Sequence, residues 1–228
     1  MRHIAIVPVK DKSDRVVSKN FRPFSEGKSL LETKLIQLMK SGVYDEIYVS
    51  SDSPDAQRIA KSLQVKFVER RVQFCNNVVP WSDVIVEVLA SIPEAGDCVI
   101  SWCHVTSPTF DLYSDAIKAY GDAVSKGHDG LIAVNRFSDF LVTSRGRPFN
   151  YSWGRWHEYS QDLEPLYRVT GALFMATKDT MMANKYVASL KPYLFECSSF
   201  HAVDVDTDFD FNLAKVLYEN HEKFVTSK

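Results

Sequence analysis

The stretch HIAIVPVKDKSDRVVSKN, residues 3–20, sets an almost continuous run of apolar and β-branched side chains, from His3 to Val9, directly against a polar loop. A strand that is apolar at successive positions, rather than at every second one, is covered on both faces, as in parallel sheets flanked by helices. The loop that follows carries Lys10, Lys12, Arg15 and Lys19 together with Ser13 and Asn20. In open α/β sheets ligands collect at the carboxyl ends of strands, and a polyphosphate there needs cations and amide or hydroxyl donors. The loop reads either as a triphosphate cradle or as a solvated surface loop, because it is neither a Walker loop nor a dinucleotide fingerprint.

Working outward, residues 29–41 place Leu30, Leu31, Leu35, Ile36, Leu38 and Met39 at helical spacing, with Gly42 where a helix would stop. A short β-branched strand follows at 46–50, then a helix at 55–63 opened by Pro54, and a strand at 65–68. The pattern continues with a helix at 82–92, a strand at 98–103, a helix at 113–125 and a strand at 130–135. Alternation of this kind predicts an α/β fold, a mainly parallel sheet with helices on both faces. Residues 136–168 break the pattern with Tyr151, Trp153, Trp156 and Tyr159, and so long a structureless loop is uncommon, so a hairpin or arm is expected. Strands at 171–176 and 202–205 and a last helix from Phe209 to about Asn220 complete the reading.

At 228 residues the chain suits one main core, since single cores commonly hold to about 250 residues. Apolar content of 45% and charged content of 25% are those of an ordinary folded protein. A formal charge of -2, with lysine and arginine scattered, lacks the basic footprint of a nucleic-acid groove. Cys75, Cys98, Cys103 and Cys197 have no CxxC spacing and suit a reduced, cytoplasmic compartment. No stretch approaches the roughly 20 apolar residues of a membrane span, and the opening apolar run, interrupted by Pro8, is shorter than an export signal's core.

A second chemical stretch is VDVDTDFDF, residues 203–211, where Asp204 and Asp206 alternate about Val205 and so project to one side. Two such carboxylates repel unless a cation lies between them, and hard oxygen ligands suit magnesium. Thr207 or Asp208 is expected to cap the last helix instead. Arg70 and Arg71 follow an apolar strand, and Ser82 opens a helix, so both groups can reach a ligand over the sheet edge. The segment WCHVTSP, residues 102–108, sets His104 just past another strand. No GxSxG elbow, HExxH pair or GxGxxG loop is present, which leaves hydrolase, zinc-protease and Rossmann-cofactor chemistry without their parts.

In this order the stretches resemble the acylneuraminate cytidylyltransferases, also called CMP-sialic acid synthetases, and their CMP-sugar relatives. The opening P-A-R-x-x-S-K then K-N motif is similar to Pro8, Val9, Lys10, Ser13, Asp14, Lys19 and Asn20. The nucleotide-side arginine and serine match Arg71 and Ser82, and the Q-P-T-S-P motif appears as His104, Val105, Thr106, Ser107 and Pro108. R-x-N-G-A appears as Arg168, Val169, Thr170, Gly171 and Ala172, and D-x-D-T as Asp204, Val205, Asp206 and Thr207. The chain departs from the family pattern at Lys10, Asp14, His104 and Thr170, where the family has arginine, lysine, glutamine and asparagine.

The resemblance implies a Rossmann-like nucleotidyltransferase fold in a single cytidylyltransferase-like domain, 1–228, with 136–168 as a dimerisation arm that helps enclose the sugar. It implies CTP as co-substrate and a sialic-acid-like or other 2-keto-3-deoxy acidic sugar as acceptor, giving a CMP-sugar and pyrophosphate in a homodimeric enzyme. Lys10 and Lys19 would be catalytic and, with Ser13, Asn20, Arg71 and Ser82, would hold the nucleotide. His104, Thr106, Ser107, Arg168 and Thr170 would face the acceptor, and Asp204 and Asp206 would hold Mg2+ or Mn2+. The cationic group near the amino end and the acidic pair near the carboxyl end must then meet at one rim of the sheet. Lys19, in an expectedly exposed loop, should matter little to stability. Two other readings stay open: transfer to a phosphorylated sugar or polyol giving a CDP conjugate, and a catalytically inactive nucleotide-binding homologue.

Overall fold

Along β1 (His3–Pro8) successive side chains point to opposite faces, and both faces are covered. Ala5 and Val7 pack into one core cluster, while Ile4 and Ile6 pack into another. The computed structural model describes residues 1–11, 18–76 and 78–225. After β1 comes a small antiparallel hairpin, β2 (Pro23–Ser25) and β3 (Lys28–Ser29), leading into α1 (Leu30–Ser41). Strand β4 (Glu46–Ser51), α2 (Pro54–Ser62), β5 (Lys66–Glu69), α3 (Trp81–Ser91), β6 (Val99–Trp102) and α4 (Tyr113–Ser125) follow. The second half holds β7 (Gly130–Phe137), β8 (Leu166–Thr177), α5 (Lys178–Asn184), β9 (Pro192–Glu196), α6 (Asp208–Glu219) and α7 (His221–Val225).

The strands form a seven-stranded sheet in the order β5-β4-β1-β6-β8-β7-β9. Strand β1 pairs parallel with β4 and β6, β4 with β5, and β7 with β9, whereas β8 is antiparallel to both its neighbours. The expected α/β, mainly parallel, Rossmann-like sheet is therefore present. One core cluster joins the sheet to apolar residues of α1, α2, α4 and α6, and the other joins it to α3 and α5. Helices thus lie on both faces, and the carboxyl ends of β1, β4, β5 and β6 share one rim.

Local chemistry sets the helix ends. Ser29 accepts from the Glu32 N–H while the Glu32 carboxylate accepts from the Ser29 N–H, a capping box that closes α1. Gly42 ends that helix in the left-handed region at φ 65°, where other residues are strained. Pro54 opens α2, where its missing N–H costs nothing. Inside, fully buried Lys34 donates to the Ser107 carbonyl at 2.8 Å and to the Tyr113 hydroxyl at 2.6 Å. Burial lowers its pKa to about 8, and its bonds pin the loop after β6 to α1.

Three parts of the sequence reading need correction. Residues 202–205 form no strand; the segment is held to the sheet region by the Val205 N–H donating to the Thr106 carbonyl at 2.8 Å. Strand β8 starts at Leu166, inside the segment assigned to the arm, because β7 and β8 keep pairing beyond the core as far as Phe137 opposite Leu166. Helix α5, strand β9 and the β2–β3 hairpin were not anticipated: seven, five, three and two residues are too short to show a period. Between β7 and β8 a bridge joins Val142 to Pro148, and the Phe140 ring packs on Tyr151 and His157 with centroids 4.8 and 5.0 Å away. Phe149, Trp153, Trp156 and Tyr159 stay exposed on this arm.

Candidate active site at the carboxyl rim of the sheet

Lys19 and Asp206, far apart in the chain, meet at this rim with 3.8 Å between Nζ and Oδ1. The Lys19 ammonium also donates to the Val205 carbonyl at 2.5 Å. Lys19 is only 7% exposed, which overturns the expectation of an exposed loop lysine: its ammonium is drawn inward by carbonyl and carboxylate oxygens. Asn20, beside it, donates to the Lys10 carbonyl at 3.3 Å and so closes the loop on itself. Ser13, with Asp14 and Arg15, lies outside the described residues.

On the acidic side Thr207 caps α6, accepting from the Asp210 N–H, and the Asp210 carboxylate accepts from the Thr207 and Asp206 N–H groups. The cap commits Asp210 to structure and fixes the backbone that carries Asp206. Desolvation raises the Asp204 pKa and nearby Asp206 adds to the rise, while a hydrogen bond with Thr106 and the charge of Lys19 oppose it. Asp204 nonetheless keeps a solvent-exposed edge, so its carboxylate is open to a cation from solution. Two alternating carboxylates fit magnesium, which binds one or two protein carboxylates and completes its shell with water and phosphate oxygens. Among the described residues no group of three or more histidine, cysteine or acidic side chains forms a denser metal cluster.

Two cavities open at this rim. One, of about 490 Å³, is lined by Pro8, Val9, Lys10 and Arg70 on the sheet side and by apolar residues including Phe74 and Trp81, with His104 in its wall. The other, of about 420 Å³, is lined by Arg168, Thr170, Asp204, Asp206 and Leu213, among others. Between Ile132 opposite Phe174 and Val134 opposite Val169 the β7–β8 register slips. The resulting bulge in β8 carries Thr170 and Gly171 toward the rim.

The expected site residues do not all reach these cavities. Arg71 forms a two-pronged pair with Glu87 at 2.7 and 2.6 Å on the exposed side, Ser82 is half-buried, and neither lines the first cavity. Arg70 lines it instead, 5% exposed, with its guanidinium donating to the Val9 carbonyl at 2.7 Å. Side chains at a strand's end alternate in direction, and sequence does not say which of two adjacent arginines turns inward. Ser107 is fully buried and its carbonyl is held by Lys34, so its hydroxyl does not line either cavity. The Thr170 hydroxyl is spent on the bulge, donating to the Ala133 carbonyl at 3.0 Å. Thr106 meets Asp204, and Arg168, which donates to the Ala202 carbonyl at 3.3 Å, faces the second cavity. Trp81 and Phe74 were missed because aromatic residues near a helix start read equally well as core.

A mainly parallel sheet with cations and paired carboxylates converging at its carboxyl rim defines a nucleotidyltransferase-type α/β protein. The sequence model of the family described as Cytidylyltransferase matches residues 4–108. The chain is 25% identical to a pseudaminic acid cytidylyltransferase of Campylobacter jejuni, covering 97% of this chain and 99% of that protein. It is 27% identical to a CMP-N,N'-diacetyllegionaminic acid synthase of Legionella pneumophila, covering 99% of this chain and all of that protein, 100%. In fold it is similar to CMP:2-keto-3-deoxy-manno-octonic acid synthetase complexed with CTP, at a TM-score of 0.70 and 14% identity, covering 97% of this chain and 100% of that one. The motifs, the family match over residues 4–108 and the fold agree, and the chain is similar to cytidylyltransferases of the CMP-sialic acid synthetase type.

Proposed function

We propose that this protein transfers the cytidylyl group of CTP to a hydroxyl of a sialic-acid-like or other 2-keto-3-deoxy acidic sugar, forming a CMP-sugar and releasing pyrophosphate. The observation that carries this reading is the 3.8 Å approach of Lys19 to Asp206 at a rim that also holds two cavities, one with cationic and apolar walls, the other lined by Arg168 and the carboxylates. In the first cavity Lys10 and Arg70 supply charge to the triphosphate, and the apolar wall of Phe74 and Trp81 takes the flat base. In the second, Arg168 faces the acceptor's carboxylate, for which a guanidinium fork is the natural partner. Asp204 and Asp206 would hold Mg2+ or Mn2+, which supplies charge neutralisation at the reacting phosphate when bound.

The acceptor oxygen attacks the α-phosphorus as the bond to pyrophosphate breaks in line, so the protein's part is positioning and electrostatics rather than covalent catalysis. Lys19, held against Val205 and Asp206, keeps a positive charge beside the reacting phosphate. The test is incubation with CTP, magnesium and a panel of acidic sugars, with products identified by mass. A CMP conjugate with pyrophosphate is expected. A CDP conjugate would favour a phosphorylated acceptor, and CTP binding without turnover would favour an inactive homologue.

The arm's exposed Phe149, Trp153, Trp156 and Tyr159 support a homodimer, because four large aromatic side chains exposed within one short segment offer apolar surface for a partner copy to cover. A single-chain mass in equilibrium sedimentation at micromolar concentration rejects that assignment. All four cysteines are free, in keeping with the reducing cytoplasm where CTP is at hand.

A further inference from the structure

Where the resembled motif has glutamine this chain has His104, and its surroundings fix what the ring can do. The Trp102 indole N–H donates to His104 Nε2 at 3.1 Å. An indole nitrogen only donates, so Nε2 must offer its lone pair, and the neutral ring then carries its proton on Nδ1. Nδ1 faces Gly171, where a Cβ would approach it to 3.3 Å. Gly171 has φ +73°, in the left-handed region open to glycine, and without a side chain it leaves the space over Nδ1 clear. His104 lines the first cavity, and Thr170, next to Gly171, lines the second. The Nδ1–H is therefore turned toward Gly171, whose chain neighbour Thr170 lines the second cavity.

The rings of Trp81 and Phe174 close on His104 at centroid distances of 6.4 and 6.1 Å. Burial, followed by the charges of Lys34 and Lys19, lowers its pKa to about 4, so the ring is neutral at physiological pH. Both charged groups acting on it are cations, which reinforces the neutral form. A histidine between nucleotide and acceptor looks like a base for the acceptor hydroxyl, but a base needs a lone pair and Trp102 holds the one available.

Resting on the transferase reading, we propose that His104 is a locked hydrogen-bond donor, presenting Nδ1–H to an oxygen of the acceptor and selecting acceptors with a carbonyl or carboxylate oxygen there. Long-range 1H–15N correlation of histidine-labelled protein, with and without N-acylneuraminic acid, reads the tautomer directly. The expected spectrum has His104 protonated on Nδ1 and bare at Nε2 throughout pH 6–8, with the Nδ1 signal moving when the acid is added. His104→Leu should raise the acceptor KM about tenfold, well beyond its effect on the CTP KM, while His104→Gln, which restores an amide donor, should recover most of the loss. An Nε2–H tautomer, titration between pH 6 and 8, an Nδ1 signal indifferent to the acid, or an unchanged acceptor KM in a folded His104→Leu would overturn the proposal. Wild-type protein without turnover sinks the transferase reading alone, since the spectra still decide the state and contact of His104.

Discussion

Asp206→Ala should lower metal-dependent pyrophosphate release from CTP about 100- to 1000-fold while leaving the fold in place. The rate loss follows from the geometry: Asp206 stands 3.8 Å from Lys19 and lines the second cavity with Asp204, whose pKa it helps to raise. On the proposed metal site, removing one of two carboxylates would leave a single protein ligand for the cation, and lost electrostatic stabilisation of a reacting phosphate is worth several kcal/mol. Stability should hold because the α6 cap is made by Thr207 and Asp210, to which Asp206 contributes its backbone N–H and not its carboxylate. The Asp206 side chain is 42% exposed, so its removal costs little burial. Steady-state turnover against magnesium concentration, with a urea midpoint on the same sample, separates the two effects. Undiminished metal-dependent turnover removes Asp206 from the metal site.

For Lys19→Ala the expected loss is about 100-fold in kcat together with about 2 kcal/mol of stability. Both parts follow from the same bonds. The ammonium sits almost wholly inside the protein, donating to the Val205 carbonyl and facing Asp206, so its removal takes a charged donor from a buried carbonyl and a cation from beside the carboxylate. Lys19→Met keeps the aliphatic stem and should recover part of the stability with none of the rate. Turnover normalised to the folded fraction, with urea denaturation of both variants, is the measurement. Wild-type kcat in folded Lys19→Ala would remove the lysine from the reaction and leave it a structural tie.

The burial of Lys19 illustrates what was legible in the chain and what was not. A polar loop after a buried strand, and an Asp-x-Asp pair before a helix, were visible as patterns, because apolar runs and two-residue alternation are local properties of sequence. That Lys19 is turned inward depends on the 203–207 segment lying against the loop, a long-range contact that no local window carries. The adjacent arginines make the same point. Either could have faced the nucleotide cavity, and the pairing of β4 with β5 turned Arg70 toward Val9 and left Arg71 to Glu87. Likewise the paired aspartates read as a strand's end, but their segment takes its extended form from one bond to Thr106 and from the α6 cap.

The sequence alone determined the alternating α/β order, the two-faced core strand β1, the start and stop of α1 and α6, and the family likeness carried by five ordered motifs. These rest on side-chain period, capping chemistry and residue identity, all of which act within a few positions of the chain. Tertiary structure decided the reversed strand β8 and its bulge, the choice of Arg70 over Arg71, the burial of Ser107, the spending of the Thr170 hydroxyl on the bulge, and the indole N–H set against His104 Nε2. Those outcomes follow from which backbone and ring atoms arrive beside a polar group from distant parts of the chain, because a buried donor or acceptor takes whatever partner packing brings within reach.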